Sequence, residues 1–296
     1  MNYKLRHVTT YHYEDEVTFA RCSLRLTPRN STDQMVFESS VTVTPAPVSV
    51  LEHVGQFGER VMTATVETPH TELIIEARAR VDVRRPAPAE LTGPSWEVVR
   101  ELAFGVESLE IASPANFLFP TRMTPIRPEI TDYARRSFTR SRPVMEAAFE
   151  LAGRIKREFT YDPKSTEVST PAIEAFGARR GVCQDFAHIM ISGLHGLGLP
   201  AAYVSGYLRT FPLPGQPRLE GADATHAWVA LWCGDEAGWV GFDPTNAVIA
   251  ADNHIILAVG RDYSDVAPIG GVVLGSGDQK IDVAVDVVPI DAGAAA

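Results

Sequence analysis

The sequence predicts an α+β protein: an antiparallel β-sandwich or barrel-like region first, then a helix packed on an antiparallel sheet. Three observations carry that expectation. Short runs of alternating or β-branched residues fill positions 3–83, separated by Thr-Pro, Pro-Ala-Pro and Gly-Gln-Phe-Gly punctuation, which is the spacing of a sandwich or barrel. From Phe186, apolar residues recur at Ile189, Met190, Leu194 and Leu197, which is helical periodicity. Strand patterns follow that helix, and the order of helices first and antiparallel strands afterwards is an α+β order.

In chain order, the first region offers strands over 3–13, 23–27, 35–44, 49–53, 61–67 and 72–83. Over 38–44 and 73–83 polar and apolar residues alternate, as in a sheet with one wet face. Arg84-Arg85-Pro86-Ala87-Pro88 replaces strand pattern with proline and small residues, the mark of a boundary. It divides a β-rich region, 1–88, from a second region, 89–296, in which a helical segment (89–160) leads into a core (161–296). Ser95 is placed to cap a helix over 96–102, and Thr131 or Asp132 to open one reaching about Arg140. Pro114, Pro120, Pro125 and Pro128 hold the connection between them extended. Over 143–159, Val144, Ala147, Ala148, Leu151, Ile155 and Phe159 form one apolar face, and Pro143 suits its first turn. Thr170-Pro171 begins a short helix, 172–176, that delivers the chain to Gly181. The next helix opens at Cys183 and is stopped by Gly198 and Pro200. Strands come next near 201–209, 224–232, 239–243 and 255–260, with a last one near 280–288. The proline-rich segment 211–217 reads as a cleft wall or an ordinary surface connection.

The chain of 296 residues is long enough for two modest cores. Its net charge of −10 argues against nucleic acid or an anionic membrane as partner. Arg135, Arg136, Arg140 and Arg142 form the conspicuous basic cluster and read as a solvated helix face. The opening residues lack the apolar core of a signal peptide, and no apolar run is long enough to span a membrane. Cys22, Cys183 and Cys233 are too widely spaced for a disulfide framework or paired metal ligands. A reducing cytoplasm is therefore the expected compartment. His7, His12, His53 and His70 are scattered, and His188 and His195 have no acidic partner at helical spacing, so no metal site is expected.

The chemistry centres on Gly181-Val182-Cys183-Gln184-Asp185-Phe186-Ala187. Free N–H groups and the positive end of the helix dipole favour a thiolate over a thiol at Cys183. Asp185, in the same turn, reads as structural or substrate-facing. Cys22 reads as a structural thiol, and Cys233 lies in a hairpin turn with no base assigned to it. Downstream, 224–232 and 239–243 form a hairpin around Cys233-Gly234-Asp235-Glu236. A four-residue loop with Trp232 opposite Ala237 sets His226 directly opposite Asp243, with Cβ atoms roughly 4.5–5.5 Å apart. A base, its orienting carboxylate and a helix-start cysteine then form a nucleophilic triad. Trp228 and Trp239 share those strand faces, either lining an acyl-substrate pocket or filling core.

These motifs resemble the bacterial transglutaminase-like proteins of the papain-like cysteine superfamily. The likeness is carried by the Cys183 motif, Tyr203-Val204-Ser205-Gly206-Tyr207-Leu208, Thr225-His226-Ala227-Trp228 and Trp239-Val240-Gly241-Phe242-Asp243-Pro244-Thr245-Asn246. The stretch from His254 to Arg261-Asp262-Tyr263, the Asp265-Val266-Ala267-Pro268 tail and the β-rich start with Tyr3 and His7 extend it over nearly the whole chain. The resemblance implies a papain-like, transglutaminase-like core with Cys183 as nucleophile, His226 as general base and acid, and Asp243 as orienting acid. It implies attack on a carboxamide or peptide carbonyl of a protein or peptide substrate, through a thioester resolved by an amine co-substrate or by water, with no cofactor. Purely hydrolytic peptidase or amidase action, and a non-catalytic binding module on the same fold, are the alternatives.

Overall fold

A computed structural model describes residues 1–210, 221 and 223–290; the segment 211–217, expected as a cleft wall or surface connection, lies outside the described residues. Two four-stranded antiparallel sheets build the β-rich part. In one the strand order is Gln279–Ile290, Asn2–Val17, His70–Val83, Gln34–Thr44; in the other it is Ile269–Leu274, Phe19–Leu24, Arg60–Val66, Ser49–Val54. Ala20, Cys22, Leu24 and Val66 of the second sheet meet Val43, Leu73 and Ile75 of the first in one buried cluster. The expected sandwich is thus formed, but with two strands from the far end of the chain.

That is a departure from the expected core over 161–296. Gln279–Ile290 pairs with Asn2–Val17, and Ile269–Leu274 pairs with Phe19–Leu24. An apolar alternation announces a strand without naming its neighbour. Each of these strands covers a row of backbone groups that would otherwise form a sheet edge, and Val285 and Val287 bury one face in doing so.

The long strands also explain how the two regions adhere. His70–Val83 has 14 residues and so extends roughly 45 Å at about 3.3 Å per residue. Its single apolar face is divided along its length. Leu73, Ile75 and Ala77 pack inside the sandwich, whereas Ala79, Val81 and Val83 pack with Tyr3, Leu5, Tyr207, Ile255 and Leu257. The last three belong to a five-stranded antiparallel sheet ordered Val248–Ile249, Trp239–Asp243, Ala224–Trp232, Ala201–Leu208, His254–Gly260.

Helices cover the other side of that sheet. Helix Cys183–Gly196 lies on Ala227, Val229 and Leu231 with Val144–Glu158 and Pro128–Arg135 around it. The helix expected from Thr131 to about Arg140 begins earlier, at Pro128, and ends at Arg135. Proline at the first helical positions lacks a hydrogen that has no acceptor there anyway, so Pro128 opens the helix instead of extending the connection. The two helices approach closely because Gly193 and Gly196 face the contact: a Cβ at Gly196 would lie 1.9 Å from Thr131 Oγ1.

The role of the returning strand is testable by contrast within it. Val287→Ala removes a fully buried side chain and is expected to cost about 2 kcal/mol. Val283→Ala, at a 53% exposed position, is expected to change stability by less than about 0.5 kcal/mol. Equilibrium denaturation of the two variants measures the difference; equal values would mean that the strand does not seal the sheet.

Candidate active site

Cys183 is the first residue of its helix, after an extended Val182. Asp185 fixes this turn. Its Oδ2 accepts the Val182 N–H at 2.8 Å and the Thr166 hydroxyl at 2.7 Å, which satisfies an amide just outside the helix. Gly181 makes this possible, since a Cβ there would lie 2.7 Å from the Asp185 side chain. Asp185 is therefore a structural cap, one of the two roles expected of it. Cys183 is half-buried, while Cys22 and Cys233 are buried and free, with burial pushing both of their thiols upward. Tyr161, Tyr203 and Tyr263 lie close enough to Cys183 to interact with it electrostatically. A two-residue parallel pairing of Thr160–Tyr161 with Arg180–Gly181 places the first of these beside the helix start.

His226 and Asp243 meet, but not in the register expected. Trp232 pairs with Trp239, not with Ala237, and the ladder ends at Val229 and Phe242. The loop is longer because Gly234 and Gly238 both take positive φ, at 99° and 61°, with the Gly238 N–H donating to the Gly234 carbonyl at 2.8 Å. Glycine adopts that conformation without a Cβ clash. The register moves by two positions, and an even shift keeps each side chain on its face. His226 and Asp243 thus remain on one side of the sheet, just beyond the last paired residues. There His226 Nε2 lies 2.8 Å from Asp243 Oδ2, and Cys183 is close enough to the same imidazole to act on its charge.

Asp243 is completely buried and receives five hydrogen bonds from the described residues. The backbone N–H groups of Thr245 and Asn246 donate to Oδ1 at 2.9 and 3.1 Å. Asn246 Nδ2, His226 Nε2 and His254 Nε2 surround Oδ2 at 2.8, 2.8 and 3.2 Å. Burial opposes the carboxylate, but the bonds from His226, His254 and Asn246 outweigh it and hold its pKa well below the usual range. Burial likewise opposes an imidazolium at His226; the hydrogen bond to Asp243 and the effect of Cys183 outweigh it and raise the ring to about 10. Such a cluster favours a charged imidazole facing a sulfur.

His254 and Asn246 were not among the residues expected at the site. Asn246 stands three positions after the aspartate in the Asp243-Pro244-Thr245-Asn246 turn, a spacing from which a side chain folds back. His254 has no such signal. Its strand lies beyond Ala201–Leu208, in which a Cβ at Gly206 would meet Ile255 O at 2.1 Å and the Trp228 ring at 2.6 Å. The nitrogens of His226 and His254 and the Asp243 oxygen lie within 4.8 Å of one another, close to metal-ligand spacing. They are joined through Oδ2, so an ion there would have to displace a proton from each ring.

Trp228 and Trp239 line a cavity of about 550 Å³ that contains none of the three expected residues. Phe57, Phe117, Ile256 and Val259 line it too, so it lies between the sheet and the sandwich, on the face away from the helix. Trp228 is 1% exposed and stands between His226, 6.2 Å away ring to ring, and the cavity. His188 accepts the Tyr263 N–H at 3.2 Å, and His195 bonds the carbonyls of Phe117 and Ala201. Burial lowers both to about 4.

Long-range ¹H–¹⁵N spectra of the histidines are expected to show His226 doubly protonated at pH 8, with His7, His188 and His195 neutral. Because the folded His226 value is raised, its proton is retained above the ordinary 6.5 and lost only toward about 10. Asp243→Asn should bring that midpoint down; a neutral His226 at pH 7 in the unaltered protein would contradict the cluster's electrostatics.

Comparison with known proteins bears on the family and the fold. Residues 3–82 match the bacterial transglutaminase-like N-terminal region, and residues 131–244 match the transglutaminase-like superfamily. An uncharacterized protein of Mycobacterium tuberculosis is 40% identical over 99% of this chain and 94% of its own length. One from Mycobacterium leprae is 32% identical over 95% of this chain and 96% of its own. The crystal structure of a proposed cysteine protease from Cytophaga hutchinsonii superposes with a TM-score of 0.74 at 23% identity, covering 98% of this chain and 92% of that one; at that identity the likeness speaks for the fold. The chain belongs to the bacterial transglutaminase-like family, with the β-rich N-terminal region and the transglutaminase-like core of that family both present.

Proposed function

We propose that the protein is a cysteine acyltransferase or hydrolase that opens a carboxamide or peptide bond of a protein or peptide substrate through a thioester. The observation that carries this reading is the half-buried Cys183 at a helix start, close to an imidazole that a buried carboxylate keeps charged. The Cys183 thiolate attacks the carbonyl carbon, forming the C–S bond as the carbonyl π electrons move to oxygen. The Cys183 backbone N–H, at a position with no intrahelical acceptor, is the proposed donor to that oxygen. Collapse of the adduct expels ammonia or an amine, which takes its proton from the His226 imidazolium. A primary amine or water then attacks the thioester, His226 accepts the proton, and the C–S bond breaks to return the thiolate. Asp243 holds the imidazole in orientation throughout.

Amine transfer is the main reading and hydrolysis the second, both supported by membership of this family. No metal or organic cofactor enters the steps. The proposed setting is a reducing cytoplasm, because the reaction needs Cys183 as a free thiol. A non-catalytic module is disfavoured by the alignment of three elements on one imidazole.

Two measurements test the proposal. Iodoacetamide near neutral pH is expected to alkylate Cys183 fastest, with Cys22 and Cys233 shielded at 8% and 0% exposure. His226→Ala should slow that labelling, and Asp243→Ala should slow it less. Glutamine-containing peptides are expected to release ammonia, at least ~10³-fold less with Cys183→Ala. Incorporation of an added amine identifies transfer, and ammonia release without incorporation identifies hydrolysis. Faster labelling of Cys22 or Cys233, together with no effect of His226→Ala, would overturn the nucleophile assignment.

A further inference from the structure

We infer that His254 is a positioning residue: it shares the Asp243 carboxylate with His226 and thereby sets how tightly the His226 imidazolium is held. The inference rests on the proposed function for its catalytic meaning but on separate contacts for its evidence. Asp243 Oδ2 is approached by three donors, His226, Asn246 and His254. A carboxylate offers about four lone-pair sites in all, and Oδ1 already takes two backbone amides. Each donor draws on the same negative charge, so what His254 takes is unavailable to His226.

The tautomer follows from the contacts. His254 is 3% exposed, and its Nδ1 is buried without a hydrogen-bond partner, whereas Nε2 faces the carboxylate at 3.2 Å. A neutral imidazole has one proton, and it belongs on the nitrogen that has an acceptor. Burial favours the neutral ring and, with the charges of His226 and Arg85, outweighs the opposing pull of Asp243. His254 is thus a neutral donor beside a cationic one. A second imidazolium on the same oxygen would repel the first.

The sandwich region holds this ring in place. Arg85 Nη1 donates to the His254 carbonyl at 2.9 Å, and the Arg85 N–H donates to Asp252 Oδ1 at 2.8 Å. Arg85 is itself paired with Asp33, and the Tyr3 hydroxyl reaches Asn253 Oδ1 at 3.2 Å. From the sheet side, Trp228 packs edge-on at 5.1 Å between ring centroids. The charged and titratable groups facing His254 are therefore Asp243, His226, Arg85 with its partner Asp33, and Asp252. On the sulfur side of His226 they are Tyr161, Tyr203 and Tyr263, with Asp185 and Asp262 acting on Tyr203 and His188 packed against it.

The test is an NMR titration of His226 in a Cys183→Ala background, where loss of the sulfur lowers the midpoint into an accessible range. His254→Phe keeps a ring against Trp228 but removes the donor, and should raise the His226 midpoint by about one pH unit. His254→Gln restores an N–H near the position of Nε2 and should return the midpoint to that of the background. An unchanged or lowered midpoint with His254→Phe overturns the inference, as does failure of His254→Gln to restore it. Should His254→Phe not fold, His254→Leu supplies the same comparison. In the unaltered protein, His254 should also be the neutral Nε2–H tautomer at pH 8; an Nδ1–H tautomer or a charged ring there overturns the inference without any variant. If Cys183→Ala alone leaves His226 unmoved, the sulfur does not act on the ring, and the proposed function fails instead.

Discussion

The structure depends on one buried carboxylate. A charge removed from water costs several kcal/mol unless partners replace the solvent, and Asp243 is entirely enclosed. Its partners come from three places: the strand carrying His226, the turn that follows Asp243 itself, and the start of the strand carrying His254. Those segments must meet at one point for the carboxylate to be tolerated. The electrostatic requirement therefore acts as a positional one. It fixes the imidazole, and the imidazole in turn faces the sulfur at the helix start.

The β-rich region contributes to this arrangement through its backbone-directed contacts. Gln34 hydrogen-bonds the Ile256 carbonyl and N–H at 2.8 Å each, and Arg85 binds the Asp252 carboxylate and the His254 carbonyl. The long strands Asn2–Val17 and His70–Val83 join the two cores by dividing one apolar face between them. The returning strands Ile269–Leu274 and Gln279–Ile290 close both sheets with the end of the chain. A region without chemistry of its own thus constrains the strand that supplies a donor to the buried carboxylate.

The two faces of the five-stranded sheet have different work. One receives the helix of Cys183, through Ala227, Val229 and Leu231. The other carries Trp228 and Trp239 toward a cavity against the sandwich. The thiol acts electrostatically instead on Tyr161, Tyr203 and Tyr263. Trp228 serves as the packed wall against which the imidazoles of His226 and His254 are set.

The sequence by itself determined the local elements and the residues of the proposed chemistry. Helical periodicity and the glycine–cysteine junction located the start of the helix, and strand alternation placed His226 and Asp243 on a common face. That placement survived an error of two positions in the hairpin register, because side chains in a strand repeat every two residues. Only the tertiary structure decided which strands are neighbours. Valine alternation over 279–290 says that one face is buried, but not that its partner is Asn2–Val17, since pairing depends on edges that form far away in sequence. His254 escaped for the same reason. Its link to Asp243 starts from a strand beyond Ala201–Leu208, in which the absent side chain of Gly206 leaves room for the Trp228 indole, and no local periodicity records such a gap.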